Sequence, residues 1–287
     1  MTRRIDHLVV AVHDLEGAAA FYRNLGFQVG ARNRHPWGTE NRIIQLSGSF
    51  IELIALGEGA DLPPHAAGSF SFGAFVRDYL QHREGLAMLV LDSSDAEGDA
   101  RLFAKRGIGS FGPFHFERTG RRPDGSETRV AFTLAFAADE SAPRAGFFVC
   151  QQHFPENFWN REFQQHDNKA LAIGSVALAA PDPARHEAFL TAFTGAEPQS
   201  PDSDDLSYPL ADAHLHVLTP DDAAENYGSV EAELDQPSFV AFGVRVEDIG
   251  LQARWLDAAE ISYQHIGSRL VVPASAAFGV AIAFEPT

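Results

Sequence analysis

The stretch Ile5-Asp6-His7-Leu8-Val9-Val10-Ala11-Val12-His13-Asp14-Leu15, continuing through Phe21-Tyr22 to Leu25-Gly26, decides how the rest of the chain is read. As a β-strand entering a capped helix, its period-two alternation places Leu8, Val10 and Val12 on one face and His7, Val9 and Ala11 on the other. Asp14 is an N-cap candidate, Glu16 stands in the first turn where the helix dipole favours an acid, and Gly26 can supply the left-handed residue past the last turn. Leu15, Ala18, Tyr22 and Leu25 recur at helical spacing and form one apolar stripe. That stripe covers Leu8, Val10 and Val12, which leaves His7 pointing away from the helix.

The unit recurs. Asp95, Asp182 and Asp248 each precede a helical stretch with a large apolar residue seven positions on (Leu102, Phe189, Trp255), as Phe21 follows Asp14. Short apolar runs lead into these caps: Leu86 to Leu91, Ile173 to Ala180 and Phe239 to Val246. Pro183 suits a first helical position, and Gly107 and Gly195 suit helix ends. Strand candidates follow each helix. In the first unit they are Asn41 to Leu46 and Ser49 to Leu56; in the second, Phe111 to Glu117, Thr128 to Phe136 after the turn Pro123-Asp124-Gly125, and Gly146 to Gln152. The third offers Asp205 to Leu210 and His214 to Leu218, and the fourth Ser262 to Ile266, Arg269 to Val272 and Gly279 to Phe284. The repeats are too large and uneven for a solenoid. They predict an α+β fold of four βαβββ modules.

Composition narrows the partner. Hydrophobic residues make up 45% of the 287 positions, with 23 Phe, so sizeable cores can form. Twenty-two basic residues against 39 acidic ones give a net charge of −17, which repels nucleic acid and anionic membrane surfaces. A small-molecule substrate is expected, without nucleic acid or membrane, on a monomer or homodimer. The single Cys150 excludes an intrachain disulfide, the N-terminus lacks a leader pattern, and no run approaches the roughly 18 to 20 apolar residues of a membrane span. A cytoplasmic protein is the expectation.

The string from Asp6 to Leu15, with Phe21-Tyr22 and Leu25-Gly26-Phe27, resembles the opening strand and helix of the vicinal oxygen chelate superfamily, which includes glyoxalase I, extradiol dioxygenases and bleomycin-resistance proteins. Phe50-Ile51-Glu52-Leu53-Ile54 resembles the closing strand of a first module, and Val149 to Trp159 a segment of its glyoxalase-like branch. The resemblance implies that modules pair into half-barrel cups whose concave faces hold a metal and substrate. It also implies a lyase, isomerase or dioxygenase, or else a metal-free binding protein of the bleomycin-resistance type. Two pairs would then occupy residues 1–153 and 172–287. The intervening 154–171, with Phe154, Phe158, Trp159 and Phe163, reads either as a structural strap packed across the two cups or as one that also lends polar atoms to a pocket mouth.

His7 and Glu52 are the best candidates for chemistry. If Ile51 and Leu53 face the helix, Glu52 joins His7 on the concave side. An imidazole and a carboxylate suit a divalent ion such as Zn, Mn, Ni, Fe(II) or Mg. By resemblance the two positions match metal ligands of the first module, with Glu52 also catalytic. Module two offers Met88 or, in the preferred register, Leu86 opposite His7, and Cys150 at the matching glutamate. Further ligands or substrate contacts are then sought among His115, Cys150, Gln152 and His153. In the second pair Ser175 and Ala241 stand where His7 stands, and His216, sharing a face with His214, stands where Glu52 stands. Trp37 and His35 fall in a loop able to lid the first cup. Arg121, Arg122 and Arg129 could meet a carboxylate, although the Arg118 to Arg122 run also reads as a solvated hairpin tip.

Overall fold

Each capped unit folds as its pattern dictates. In the computed structural model, which describes residues 2–121, 127–199, 204–228 and 236–287, β1 (Ile5–Ala11) leads into α1 (Leu15–Asn24). The Asp14 carboxylate accepts from the backbone N–H groups of Glu16 and Gly17 at 3.1 and 2.9 Å, and Gly26 follows the helix at φ +90°. β2 (Asn33–Arg34), β3 (Thr39–Gln45) and β4 (Phe50–Leu56) complete the module. After α2 (Phe72–Leu80) come β5 (Gly85–Asp92), α3 (Ala96–Arg106), β6 (Phe114–Arg121), β7 (Glu127–Ala137) and β8 (Gly146–Gln152). The short α4 (Pro155–Phe158) precedes β9 (Ala170–Ala179), α5 (Glu187–Thr194), β10 (Leu206–Pro209), β11 (His214–Leu218) and α6 (Pro220–Tyr227). The chain ends with β12 (Ser238–Val246), α7 (Ile249–Ala258), β13 (Gln264–Ile266), β14 (Arg269–Val272) and β15 (Ala281–Pro286).

Asp95 and Asp248 cap α3 and α7 through the N–H groups of Gly98 and Leu251. Asp182 instead opens a 3-10 turn over Pro183–His186 without a side-chain bond. In α3 the buried face runs through Ala96, Ala100 and Phe103, and Leu102, the residue matched to Phe21 by spacing, is 38% exposed. Among the described residues the third module has two strands after its helix rather than three. The turn at Pro123-Asp124-Gly125, Arg122 and the side chain of Arg121 lie outside the described residues.

The strands form two sheets, ordered β2-β3-β4-β1-β5-β8-β7-β6 and β10-β11-β9-β12-β15-β14-β13. Within each sheet a central antiparallel pair, β1 with β5 and β9 with β12, joins two modules, and each of these strands pairs in parallel with the closing strand of its own module. The alternation inferred from sequence holds. Leu8, Val10, Ile51 and Leu53 pack on the helix side, whereas Val9, Ala11 and Ile54 face the concave side. No helix among the described residues is long and apolar enough to cross a membrane.

Besides the single turn of α4, two helices escaped the sequence reading, and both fill concave faces. α2, capped by Ser71, buries Phe72, Val76, Tyr79 and Leu80 against the first sheet. α6, capped by Thr219, sets Ala223 and Tyr227 against Ala177, Ala179, Ala241, Ala281 and Ala283 of the second. The helix-facing sides of both sheets share one core. Within it Phe147 of β8 meets Phe189, Phe193 and Phe239 at ring separations of 4.9, 5.3 and 5.4 Å.

A polar tie crosses the same junction. Asp139, in the β7–β8 loop, lies 2.6 Å from Nδ1 of His186, which is buried ahead of α5. Burial acts to raise the Asp139 pKa, but the His186 hydrogen bond, the Ser141 N–H and the charges of His186 and Arg185 outweigh it and hold the carboxyl below its usual value. Its contribution to stability is therefore full above the unfolded-state pKa of about 4 and is lost as pH falls through the lower folded value. Asp139→Asn is expected to cost about 1 kcal/mol at neutral pH. In thermal unfolding followed against pH, the variant and the parent should converge in acid.

Candidate active site in the first cup

β1 and β4 run parallel with His7 beside Phe50 and Val9 beside Glu52, so His7 and Glu52 project from neighbouring strands into one hollow. Both side chains are buried, and His7 Nε2 lies 3.8 Å from Glu52 Oε2. The His7 ring is stacked on Phe50, with centroids 4.2 Å apart and planes 10° apart, and meets the edge of Phe148. Its other nitrogen, Nδ1, is 2.6 Å from Asp6 Oδ1, and Asp6 Oδ2 accepts from Gln152 Nε2 at 2.7 Å. A carboxylate on the far side of an imidazole fixes the ring and directs Nε2 inward.

Asp6 reaches His7 because the strand is irregular there. Strict alternation would send neighbouring side chains to opposite faces, but the β1–β5 register slips between Ile5 and His7, a local bulge that re-aims Asp6. Sequence reasoning passed over Asp6 for that reason. Removing the tie by Asp6→Asn is expected to weaken any ion held by His7 Nε2 about 10- to 100-fold. Calorimetric titration with Mn(II) would check it.

His35 and Asn41 complete the polar floor. His35 Nε2 lies 3.7 Å from Glu52 Oε1, and the Asn41 amide donates to that same oxygen at 2.5 Å while lying 3.3 Å from the imidazole. Thr39 Oγ1 is 2.8 Å from His35 Nδ1, and Trp37 stacks on the ring at 4.5 Å. Burial lowers the His35 pKa, with Arg118 and His7 acting the same way against the pull of Glu52. The ring is thus held toward its neutral form, with a lone pair to offer. The loop noticed in the sequence as a possible lid is folded into the cup.

The cavity is narrow, about 50 Å³, and is walled by Phe50, Phe72, Phe116, Phe132, Phe148 and Phe158 together with Trp37, Ile43 and Leu134. Phe158 comes from the strap after β8, where its carbonyl accepts from Gln45 Nε2 at 2.8 Å. Two buried polar atoms of the lining, Trp37 Nε1 and Asn41 Oδ1, have no hydrogen-bond partner. Such atoms are uncommon in folded proteins and suit a site completed by a polar ligand.

The remaining candidates separate. His115 and His153 are exposed and share Thr133 Oγ1 at 3.0 and 2.7 Å, away from the cavity lining. Gln152 acts on Asp6, and its Oε1 is buried without a partner. Cys150 lines the cup from below. Burial, reinforced by Asp6 and Glu52, raises its thiol pKa well above the ordinary value, so it packs as a neutral group. The β5–β8 register pairs Met88 with Gly146 and Val90 with Phe148, which places Phe148 rather than Cys150 opposite Glu52. Leu86 belongs to the helix-side core, so Met88 is the counterpart of His7.

In the second cup the register places Ser175 and His216 where His7 and Glu52 stand in the first, as the sequence suggested. Ser175 Oγ donates to Glu285 Oε1 at 2.7 Å, and a Cβ on Gly243 would fall 2.1 Å from that oxygen. Glycine is what admits this half-buried carboxylate. Burial, His214 and Arg269 lower the His216 pKa to about 4. Alanines and α6 fill the space.

A model of the glyoxalase-like domain matches residues 5–194, about two thirds of the sequence. The chain belongs to the glyoxalase-like domain family, within the vicinal oxygen chelate superfamily. A segment of 65 residues is 46% identical to the ethylmalonyl-CoA/methylmalonyl-CoA epimerase of Cereibacter sphaeroides; it covers 22% of this chain and 48% of the epimerase, so the glyoxalase-like chain spans about half that relative. A hypothetical protein from Staphylococcus aureus has the same fold, with a TM-score of 0.72 at 12% identity over 99% of this chain and 100% of that one. The Mn(II)-bound glyoxalase of Novosphingobium aromaticivorans superposes with a TM-score of 0.58 at 12% identity, covering 100% of this chain and 83% of that one. These likenesses establish the α+β glyoxalase/dioxygenase fold, with one sheet curled as a half-barrel.

Whether the first cup suits a divalent ion is a question of donors. Ligands about 2.0–2.2 Å from an ion lie at most ~4.2 Å apart, so the 3.8 Å gap between His7 Nε2 and Glu52 Oε2 can span one. Among the described residues no three His, Cys, Asp or Glu side chains are already disposed around one point. The pair therefore fits as two ligands of an open site. His35 is the nearest third donor, and water or substrate oxygens would fill the other positions.

Proposed function

We propose that the first cup is the active site of a metal-assisted, glyoxalase-like enzyme acting on a small apolar or aromatic molecule with adjacent oxygens. The reading is carried by the convergence of His7, His35 and Glu52 on the floor of a cavity whose walls are otherwise aromatic. When bound there, a divalent ion would supply Lewis-acid polarisation of a ligand oxygen, with His7 and Glu52 holding it. Two imidazoles and a carboxylate are also the donor types of non-haem iron oxygenases, which keeps ring cleavage beside isomerase and lyase chemistry.

The chain's own groups limit the chemistry further. Glu52 is the one carboxylate lining the cavity among the described residues, so its carboxylate is the group placed to take and return a proton. Among the described residues, the wall that carries Phe132, Leu134 and Phe148 lines the cavity with no carboxylate or imidazole. Proton transfer on one face of the ligand is favoured over a two-base inversion. The aromatic walls exclude water and strengthen the pull of each polar group on the floor.

A second reading, metal-free binding of an apolar ligand as in bleomycin-resistance proteins, draws on Met88 and Phe148 standing where module two would supply ligands. Metal analysis of protein purified without chelator or affinity tag separates the two. Near-stoichiometric Zn, Mn, Ni or Fe, removed by chelation and restored by titration, is the expected result. Protein that neither carries nor recovers any of these ions is a binder, and the metal-assisted reading falls.

A further inference from the structure

Arg118 is the charged group that the first cup does not explain. On β6, Phe114, Phe116 and Arg118 share the concave face by alternation, and Arg118 lines the cavity that holds Glu52. Among the described residues its guanidinium makes neither a hydrogen bond nor an ion pair, although it is partly buried. Burial lowers its pKa, and only the attraction of Glu52 acts against that. A cation kept from water without a hydrogen-bonded partner is costly.

Arg118 also stands at a joint. Together with Ile43 and Phe158 it lines both the inner cavity and a groove outside it, between the 28–33 segment with β3 on one side and β6 with β7 on the other. The groove is the seam where the two edges of the curled sheet approach. Its other polar lining residues, among them Gln28, Asn33, Gln45, Thr119 and Asn157, are uncharged, so Arg118 is the sole charged group along it among the described residues. In a protein of net charge −17, a passage without an acid that ends at a partly buried arginine favours entry of an anion.

We propose that Arg118 anchors a carboxylate, and that the ligand of this cup is an apolar or aromatic carboxylic acid. Its body lies among the phenylalanines and its carboxylate meets the guanidinium where the cavity opens into the groove. The planar fork of arginine matches a carboxylate through two parallel hydrogen bonds. A monoanion is preferred over a phosphate because the Glu52 charge is felt at the same place and penalises each added negative charge. The inference rests on the cup being a ligand site, as proposed above, and adds the charge class of what it takes.

The test is calorimetric or ligand-observed NMR titration with matched acids and amides: phenylacetate and phenylacetamide, cyclohexanecarboxylate and its carboxamide, 2-naphthoate and 2-naphthamide, with phenyl phosphate as a further arm. The parent protein is expected to bind at least one acid roughly 10- to 100-fold more tightly than its amide. Arg118→Gln should erase that preference, and Arg118→Lys should keep part of it. A structural arginine would lower the unfolding temperature when replaced. Here Arg118→Gln is expected to leave it unchanged or higher, because an unpaired, partly buried charge has gone. Equal binding of acids and amides, no acid bound in the millimolar range, an acid preference that survives in Arg118→Gln, or phenyl phosphate binding more tightly than every acid would each overturn the assignment. The metal reading fails separately, because metal content follows His7 and Glu52 whereas acid preference follows Arg118.

Discussion

Glu52→Gln and His7→Ala are each expected to weaken Mn(II) or Zn(II) binding by roughly 100-fold or more, since removing a ligand exceeds the 10- to 100-fold effect of disturbing its outer partner. Glutamine preserves the volume of Glu52 and can keep the Asn41 hydrogen bond through its amide oxygen, so the loss would not come from collapse of the floor. His7→Ala removes a ring sandwiched by Phe50 and Phe148 and is the less conservative change. Thermal unfolding of both variants shows whether the fold is intact. His115→Ala and His153→Ala serve as controls, because those exposed rings are occupied with Thr133. Undiminished affinity in Glu52→Gln, or equal losses in the two control variants, would place the ion elsewhere and remove the basis of the proposed chemistry. Where a substrate is in hand, Glu52→Gln is also expected to lower turnover about 10²- to 10⁴-fold, the usual contribution of a positioned proton-transfer group.

The parts of this arrangement that follow local rules could be read from the chain. His7 and Glu52 came from period-two alternation, which holds wherever one face of a strand is buried. The Asp caps came from short-range hydrogen bonding between a side chain and the N–H groups of the next turn. Ser175, as the counterpart of His7, came from counting back seven residues from the Asp182 cap. What stayed hidden depends on irregularity or on long-range contact. Asp6 joins His7 through a register slip that only the partner strand β5 reveals. The slip that follows, between Val9 and Val10, turns Leu86 to the helix side and upset the register preferred for module two. His35 and Asn41 sit on β3 and the turn before it, where nothing in a single sequence says that the segment folds inward. α2 and α6 follow loops rich in turn residues, and their apolar stretches are short. Their burial inside the cups is a tertiary event, and it decides how much room is left for a ligand.

Phe147→Ala is expected to destabilise the protein by about 3–5 kcal/mol, the cost of an emptied aromatic site in a close-packed core. The ring is 2% exposed and touches three phenylalanines that belong to the other sheet and its first helix. Few of the surrounding groups can move to refill the space. At another point of the junction Gly85 and Gly279 bring the two backbones together, where an added Cβ would come within 2.8 Å of the Gly279 carbonyl oxygen or 2.2 Å of that of Glu84. At roughly 2–4 °C per kcal/mol for a chain of this order of size, the unfolding temperature should fall by about 10 °C. Phe163→Ala is the matched control, since that ring is 47% exposed in the strap and its loss should cost under ~0.5 kcal/mol. The shape of the transition carries more than its midpoint. If the shared aromatic layer makes the two sheets one cooperative unit, the parent unfolds in a single transition, and Phe147→Ala either shifts that transition whole or splits it in two. A parent that already unfolds in two steps, with a variant that changes neither by more than a degree, would show that each sheet is stabilised by its own helices and that the layer around Phe147 contributes little.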